Sequence, residues 1–356
     1  MKPKYLLNLV SDRLHTLPLV VLYLTDGCNS RCVTCDIWRN PRRNMKMELV
    51  EEIASAFQDL EVRWVLLSGG EAMQHPKWPE IARRFKAEGT HVMLLTNGLL
   101  LRKQADELVD NVDEVIVSLD GGTASTYEAI RGVDAFDLIL EGIHEVHARG
   151  IPVSTRTTLQ QANFREVPQI IEAAKSVDVN RVSFLTVDIS NQYAFGSRFA
   201  ADPALQLVAN MGAGSPPEHG PAATALMPED VIEFAQIIED TITRFAPDFE
   251  SGLISESPAK LRNMVKYFSA LNEKSAFPKS RCNSPHISTV IEVDGTLRLC
   301  YFLPTYGQLS PEISLGEAIN TSAAQALREA YRTGKRAECE RCVCPLYKGP
   351  RALLRM

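Results

Sequence analysis

An apolar run and a cysteine cluster follow each other directly in residues 19–35, which read LVVLYLTDGCNSRCVTC. Cys28, Cys32 and Cys35 place three thiols within eight residues, immediately behind the apolar run. Three soft thiolates at such close spacing suit an iron–sulfur cluster or zinc. Because a closed structural site takes four protein ligands, a set of three predicts a site that keeps one position open for another molecule.

The apolar run is the first of six that alternate with stretches of helical periodicity. We predict strands at 19–25, 64–68, 92–96, 114–119, 153–159 and 181–187, most of them largely apolar, as strands buried on both faces should be. This alternation predicts repeated strand–helix units around a parallel sheet, either as an open barrel or as a doubly wound sheet. In both folds ligands bind at the carboxyl ends of the strands.

Four motifs follow the first four predicted strands in order. They are Cys28-x3-Cys32-x2-Cys35, Ser68-Gly-Gly-Glu71, Thr96-Asn-Gly98 and Ser118-Leu-Asp-Gly121. In this order they resemble the radical S-adenosylmethionine (SAM) superfamily over about residues 19–187. The resemblance implies an α/β fold, a partial (β/α)6 barrel, in which the three cysteines hold a [4Fe-4S] cluster and SAM chelates the remaining iron. It also implies reductive cleavage of SAM to a 5′-deoxyadenosyl radical that abstracts hydrogen, with electrons from a donor such as flavodoxin or ferredoxin.

The resemblance assigns SAM contacts to polar and glycine residues near the strand ends. Glycine lets the backbone approach a ligand closely, and Glu71 offers an acceptor to the SAM amino group. Ser118 and Asp120 can hydrogen-bond the ribose hydroxyls or the carboxylate-bearing end. Arg156 would be costly if buried without a partner, so a bidentate bond to the SAM carboxylate suits it. The predicted set is Gly69, Gly70, Glu71, Asn97, Ser118, Asp120 and Arg156.

Five more cysteines lie toward the C-terminal end of the chain: Cys282, Cys300, Cys339, Cys342 and Cys344. A hairpin predicted at 288–293 and 296–301, with its turn at Asp294-Gly295, folds the chain back so that Cys282 and Cys300 can approach each other. A helix predicted at 315–332 then returns the tail, so that all five thiols converge. The set resembles the SPASM or twitch domains of the same superfamily, and five thiols match one auxiliary [4Fe-4S] cluster in a small twitch-like α+β domain. We predict ligation by the first four, with Cys344 as a spare or substitute, and zinc as the alternative occupant.

Composition and charge limit the kinds of partner that the protein is expected to bind. The 356 residues are 45% hydrophobic and 23% charged, as in an ordinary soluble protein. A formal charge of −6 without a basic block predicts no nucleic-acid partner. No apolar run is long enough for a bilayer and no targeting segment is recognisable, so we predict a cytoplasmic protein without a membrane partner. The predicted domains are the barrel at 1–187, a lid loop with linking helices at 188–280 and the auxiliary-cluster domain at 281–356.

The substrate is expected to be a small molecule that is oxidised, epimerised or rearranged at a C–H bond. The first strand begins by residue 19, which leaves no room before it for a peptide-recognition domain. Peptide maturation is the alternative within the superfamily, and a non-catalytic iron–sulfur or zinc protein with a redox-sensing role is the alternative outside it. The segment 188–227, rich in Gly, Ala, Pro and Ser, predicts a lid whose candidate catalytic or substrate-contact residues are Asp188, Tyr193 and Arg198.

Overall fold

The computed structural model describes residues 4–189, 224–279 and 281–347. Its strands are β1 (Leu19–Thr25), β2 (Trp64–Gly69), β3 (His91–Thr96), β4 (Glu114–Ser118), β5 (Val153–Leu159), β6 (Arg181–Thr186), β7 (Ser288–Ile291), β8 (Thr296–Arg298) and β9 (Thr305–Gln308). They form one sheet in the order β6-β5-β4-β3-β2-β1-β7-β8-β9.

The helices of the described residues alternate with the first six strands. After β6, four described helices follow one another before β7. The described helices are α1 (Lys4–Leu7), α2 (Met47–Ser55), α3 (Trp78–Ala87), α4 (Ala105–Leu108), α5 (Ala124–Arg131), α6 (Phe136–Ala148), α7 (Val167–Lys175), α8 (Pro228–Arg244), α9 (Ala246–Ser251), α10 (Pro258–Leu271), α11 (Ser284–Ile287), α12 (Leu315–Ala318), α13 (Ser322–Arg332) and α14 (Ala337–Glu340). Short 3₁₀ turns lie at Ile37–Arg39, Ala72–Gln74 and Phe164–Glu166.

The first six strands pair in parallel, each with its neighbour in the sequence. A doubly wound sheet reverses its strand order at a switch point, and no reversal occurs among β1 to β6, which excludes that alternative for these six strands. Strands β1 and β6 do not pair within the described residues, so the barrel is open. The predicted mixed α/β fold with a partial (β/α)6 barrel is confirmed.

Only one face of these strands is fully buried. In β3 and β4, buried residues alternate with half-exposed ones, with the period of two expected for a strand. Val92 and Leu94 of β3 have no exposed surface and join the main core, which also contains Phe85 of α3 and Ile139 of α6. The prediction of burial on both faces is therefore wrong for the inner face, which is turned away from α3 and α6 and whose residues in β3 and β4 are only partly buried.

The free edge of β6 is covered by the chain segment that precedes α10. Val182 of β6 donates its amide to the Leu253 carbonyl at 2.7 Å, and Ser255 donates back to the Val182 carbonyl at 2.9 Å. One oxygen of the buried Glu256 carboxylate accepts the Phe184 amide at 2.8 Å. These bonds satisfy backbone groups that would otherwise form an exposed sheet edge.

The C-terminal region extends the same sheet past residue 281. Strand β7 lies parallel to β1 with Ser288 opposite Leu19, and β8 returns antiparallel to β7. The turn of this hairpin includes Gly295 at φ +87°, a conformation that favours glycine, as the Asp294-Gly295 pair predicts. The helix predicted at 315–332 is interrupted, because the Thr321 hydroxyl accepts the Ala324 amide and starts a new helix there.

Candidate cluster and SAM site

The loop after β1 and the loop after β2 are pressed together at the carboxyl edge of the sheet. The Gly70 amide donates to the Thr25 carbonyl at 2.7 Å, and the Glu71 amide donates to the Gly27 carbonyl at 2.8 Å. A Cβ atom at Gly70 would lie 2.3 Å from the Gly27 carbonyl oxygen, and one at Gly69, where φ is +121°, would lie 2.5 Å from that of Thr25. Both glycines are needed for this approach of two backbones.

Glu71 is a fully buried hub that joins the β2 loop to the end of β3. One oxygen of its carboxylate accepts the Met73 amide at 3.1 Å and the Thr96 hydroxyl at 2.8 Å. The other oxygen accepts the Asn97 amide at 2.7 Å. Burial raises the pKa of Glu71, and these donors oppose the rise. Glu71 stays a predicted contact of the SAM amino group, but its carboxylate already has three protein donors.

Replacing Glu71 with glutamine should destabilise the fold and loosen the β2 loop. An amide NH2 would then face a donor that now meets a carboxylate oxygen, and leaving such a buried group unsatisfied costs about 1–3 kcal/mol. Chemical denaturation of the Glu71→Gln variant measures this loss. The matched control is Glu51→Gln, because Glu51 is an exposed residue paired with Arg84. A Glu71→Gln variant as stable as the Glu51→Gln control would contradict the hub role.

Asn97 connects the end of β3 to the first cysteine. Its side-chain amide donates to the Asn29 side-chain oxygen at 2.7 Å and lies 3.8 Å from Cys28 Sγ in hydrogen-bonding geometry. The Ser30 amide also donates to Cys28 Sγ, at 3.5 Å. Hydrogen bonds to a ligand sulfur are among the factors that set the potential of an iron–sulfur cluster. Asn97 is thus placed to contact the cysteine loop itself.

The second cysteine is held against the C-terminal end of α5. The Arg31 amide donates to the Arg131 carbonyl at 3.0 Å, and the Val33 amide donates to the Ile130 carbonyl at 2.9 Å, so Cys32 lies between two such bonds. Gly132 ends the helix in the left-handed conformation at φ +67°. The sequence signal for this contact is the Arg131-Gly132 pair at the end of α5.

Asp120 forms a buried ion pair directly behind this contact. One oxygen of its carboxylate accepts from the Arg131 guanidinium at 3.0 Å, and the other accepts the Thr158 amide at 2.7 Å. Burial raises the pKa of Asp120, and the charge of Arg131 opposes that rise. From the sequence, Asp120 is a predicted contact of the ribose hydroxyls or of the carboxylate-bearing end of SAM. The structure places both its oxygens on protein donors.

Arg156 lies on the inner face in a row across three strands. In the strand register it stands opposite Ser118 of β4 on one side and opposite Ser183 of β6 on the other. Its Nε atom is buried and has no hydrogen-bond partner among the described residues. A buried guanidinium nitrogen without an acceptor is costly. This position therefore suits an anionic ligand group such as a carboxylate.

The residues around the cysteine triad fit a bound cluster and nucleotide. Ser30 Oγ and Arg131 Nε, like Arg156 Nε, are buried without a partner within the described part of the chain. Among those residues no three Cys, His, Asp or Glu side chains meet closely enough to ligate one metal ion. Each thiolate of a cluster binds a different iron, so cluster ligands need not meet at one point.

The thiols of the triad are costly to ionise without a metal. Burial raises the pKa of Cys28 and Cys32, and raises the pKa of Cys35 to about 12. Only the thiolate ligates a metal, so loading this site must release protons. The same holds at the second cysteine group, where burial is the largest cause of the raised pKa of Cys282, Cys300, Cys339 and Cys342.

The C-terminal cysteines lie near enough to one another to influence each other's ionisation. Cys300 is flanked by Cys282, Cys339 and Cys344, whose charges would each oppose its ionisation, and Cys342 neighbours Cys344 in the same way. The group packs against α13, where the Tyr331 hydroxyl donates to the Cys282 carbonyl. The contacts among the described residues do not distinguish Cys344, the predicted spare thiol, from the other four.

The two cysteine groups lie at opposite edges of the sheet. The triad follows the carboxyl end of β1, whereas Cys282 precedes β7, whose first residue pairs with the first residue of β1. Arg328 of α13 ties this amino edge together, because its buried guanidinium donates to the carbonyls of Asp12, Pro285 and Ile319. At about 3.3 Å per residue, β1 separates the two edges by roughly 20 Å.

The predicted lid residues are only partly described. Asp188 is buried just beyond β6. Tyr193 and Arg198 lie outside the described residues, as does most of the segment 188–227.

The described residues contain no helix long and apolar enough to cross a membrane.

Comparison with known proteins matches the first half of the chain to a family. Residues 22–174 match the model of the radical SAM superfamily. A relative named Fe-coproporphyrin III synthase, from Methanosarcina barkeri, is 32% identical over 51% of this chain and 46% of its own length. One named probable GTP 3′,8-cyclase, from Saccharolobus islandicus, is 32% identical over 46% of this chain and 54% of its own length. The chain spans about half the length of the curated relatives it matches.

Solved structures share the fold over most of the chain. Streptococcus suis SuiB bound to the precursor peptide SuiA matches 97% of this chain and 75% of its own, with a TM-score of 0.65 and 14% identity. Native anSMEcpe with bound AdoMet and the Cp18Cys peptide matches 93% and 89%, with a TM-score of 0.62 and 16% identity. Residues 22–174 therefore match the radical SAM superfamily, and the chain shares the fold of these solved structures.

Proposed function

We propose that this chain is a radical SAM enzyme that cleaves SAM reductively and abstracts hydrogen from a small-molecule substrate. The observation that carries the proposal is the three-cysteine loop at the carboxyl edge of the sheet, within the residues that match the radical SAM superfamily and beside the inner face of the partial barrel. Cys28, Cys32 and Cys35 would hold a [4Fe-4S] cluster with one iron left for SAM. When bound, this pair supplies the electron and the 5′-deoxyadenosyl radical for the abstraction.

The protein's own residues position the nucleotide and exclude water. Gly69 and Gly70 keep the β2 loop against the cysteine loop, and Glu71 fixes that loop to the end of β3. Arg156, with its unpartnered Nε on the inner face, would bind the SAM carboxylate as a fork. Ser118 lies opposite Arg156 in the register, so the two would hold the same end of the ligand.

The C-terminal cysteines would hold one auxiliary [4Fe-4S] cluster, with Cys282, Cys300, Cys339 and Cys342 as its first-choice ligands. Cys282 precedes β7 at the amino edge, and its thiol lies near the other four. A substrate inside the partial barrel would then have the SAM site at one end and the auxiliary site at the other. This arrangement suits electron transfer to or from the substrate, and flavodoxin or ferredoxin would supply the first electron.

A small-molecule substrate is supported by the named relatives, which are a porphyrin-related synthase and a nucleotide cyclase. A peptide is the second candidate, because the solved structures of the same fold include complexes with peptides. The two differ in what the inner face must admit. A small molecule would be enclosed in the partial barrel, whereas a peptide must extend out of it.

The test is anaerobic reconstitution with iron and sulfide, followed by addition of dithionite and SAM. We expect iron and sulfide for two clusters per chain, and 5′-deoxyadenosine and methionine as products. An intact triad cluster that yields no 5′-deoxyadenosine would instead favour the non-catalytic redox protein. A mononuclear zinc at the C-terminal cysteines would overturn the auxiliary cluster while leaving SAM cleavage untouched.

A further inference from the structure

We propose that Arg131 compensates the negative charge of the cluster at Cys28, Cys32 and Cys35 and so raises its reduction potential. The inference rests on the proposed function, since it requires a cluster at the triad. It assigns to the end of α5 an electrostatic role in addition to its backbone contacts. Arg131 thereby becomes a residue that determines how readily the enzyme accepts the electron it needs.

The end of α5, which carries Arg131, lies directly against the loop that carries Cys32. Hydrogen bonds of 3.0 and 2.9 Å join residues 31 and 33 to the last two carbonyls of α5, and Cys32 lies between them. A Cβ atom at Gly132 would approach the Arg31 carbonyl oxygen to 2.7 Å, so the helix end and the cysteine loop are in direct contact. The helix end cannot shift without moving the loop.

The Arg131 guanidinium is largely buried beside this contact, where it pairs with the Asp120 carboxylate. Burial raises the pKa of Cys32, and the charge of Arg131 is the first influence that opposes the rise. The same charge also opposes the rise in the pKa of Cys28 and Cys35. Asp120 pairs with Arg131 at 3.0 Å, while the buried Nε has no partner among the described residues. The ion pair therefore leaves part of the hydrogen-bonding capacity of the guanidinium unused.

Elementary electrostatics gives the sign of the effect. A [4Fe-4S]²⁺ core with three thiolates carries a net negative charge, and one added electron makes it more negative. In a buried site of low effective dielectric, a nearby positive charge stabilises the reduced state more than the oxidised one. Net charge and hydrogen bonding around the sulfurs are recognised determinants of cluster potential. Removing the charge should thus make reduction harder, and removing its counter-ion should make it easier.

The experiment is a redox titration of the reconstituted full-length protein without SAM, followed by electron paramagnetic resonance with dithionite as reductant. The signal of the triad cluster is identified as the one that changes when SAM is added afterwards. The variants are Arg131→Met, which removes the charge, Arg131→Lys, which keeps it, and Asp120→Asn, which removes the counter-ion. The matched control is Arg102→Met, because Arg102 is an exposed arginine paired with Glu141.

We expect the Arg131→Met potential to fall, with a tenfold or greater loss in the reduction equilibrium, equivalent to about 59 mV for one electron. Arg131→Lys should stay near the parent, Asp120→Asn should rise, and Arg102→Met should not move. If Arg131→Met fails to assemble a cluster but Arg131→Lys assembles one, the requirement for charge is supported as well. If neither Arg131 variant assembles a cluster, the reduction potential of the Asp120→Asn variant tests the inference.

The inference is overturned if the Arg131→Met variant has the same reduction potential as the parent protein. It is overturned as well if Arg131→Met and Arg131→Lys lower that potential equally. It is also overturned if the potential of Asp120→Asn fails to rise. These results differ from a failure of the proposed function, in which the parent protein would show no triad cluster to titrate. A parent cluster that ignores all three variants would leave Arg131 as a purely structural residue of the loop contact.

Discussion

Replacing Cys28, Cys32 and Cys35 together with alanine should abolish SAM cleavage. Among the described residues at the carboxyl edge, the carboxylates of Glu71 and Asp120 could not replace the three thiolates, because both are engaged with the protein. We expect no detectable 5′-deoxyadenosine with dithionite and SAM, and the loss of one cluster's iron and sulfide per chain. Product chromatography and iron analysis measure both quantities on the same sample.

The matched control is the double variant Cys339→Ala/Cys342→Ala at the opposite edge. Because the groups are separated by roughly the length of β1, this variant should lose the other cluster and keep the triad. Dithionite and SAM should still yield 5′-deoxyadenosine, whereas conversion of a true substrate should suffer. A triad variant that still cleaves SAM would remove the basis of the proposed function.

Replacing Gly70 with alanine should disrupt the site almost as severely as replacing the three cysteines, although it changes no cysteine of the cluster. The added Cβ would lie 2.3 Å from the Gly27 carbonyl oxygen, and backbone atoms cannot yield as a flexible side chain can. The loop that carries Cys28 must therefore move. Overpacking of this kind costs about 1–3 kcal/mol of folding free energy. We expect a lower denaturation midpoint, incomplete cluster loading and SAM affinity below the level that equilibrium dialysis detects.

Gly307→Ala provides the comparison for this substitution. Gly307 lies in β9, and a Cβ atom there would meet nothing within 4 Å. Its variant should load both clusters and unfold at the denaturant concentration of the parent. Equal behaviour of the Gly70→Ala and Gly307→Ala variants would show that the two loops are less tightly packed than the backbone distances require.

Much of the barrel could be predicted from the sequence because its signals are local. The apolar runs place all six parallel strands within a residue or so of their observed ends, since each run is bounded by turn residues. The order of the strand-end motifs indicates the family, and the match of residues 22–174 agrees. The half-exposed inner face was missed, because a run such as that of β1 is apolar at inner and outer positions alike.

The roles of individual polar residues could not be predicted in the same way. Glu71 and Asp120 have the composition of ligand contacts, yet their oxygens accept from Thr96, Asn97, Arg131 and Thr158. Each of these bonds joins residues that are distant in the chain. A motif specifies which groups are present at a strand end. It does not specify which of them bind one another.

By itself, then, the sequence determined the strand–helix order, the three-thiol loop and the existence of a second cysteine group, because these depend on spacing and periodicity along the chain. Only the tertiary structure decided that the second cysteine group lies at the amino edge and that Arg131 contacts the cysteine loop. It also decided that Gly69 and Gly70 lie where the backbones of two loops touch. The physical reason is that strand pairing and burial bring distant segments together. Their energies depend on distances in space, which the local pattern does not contain.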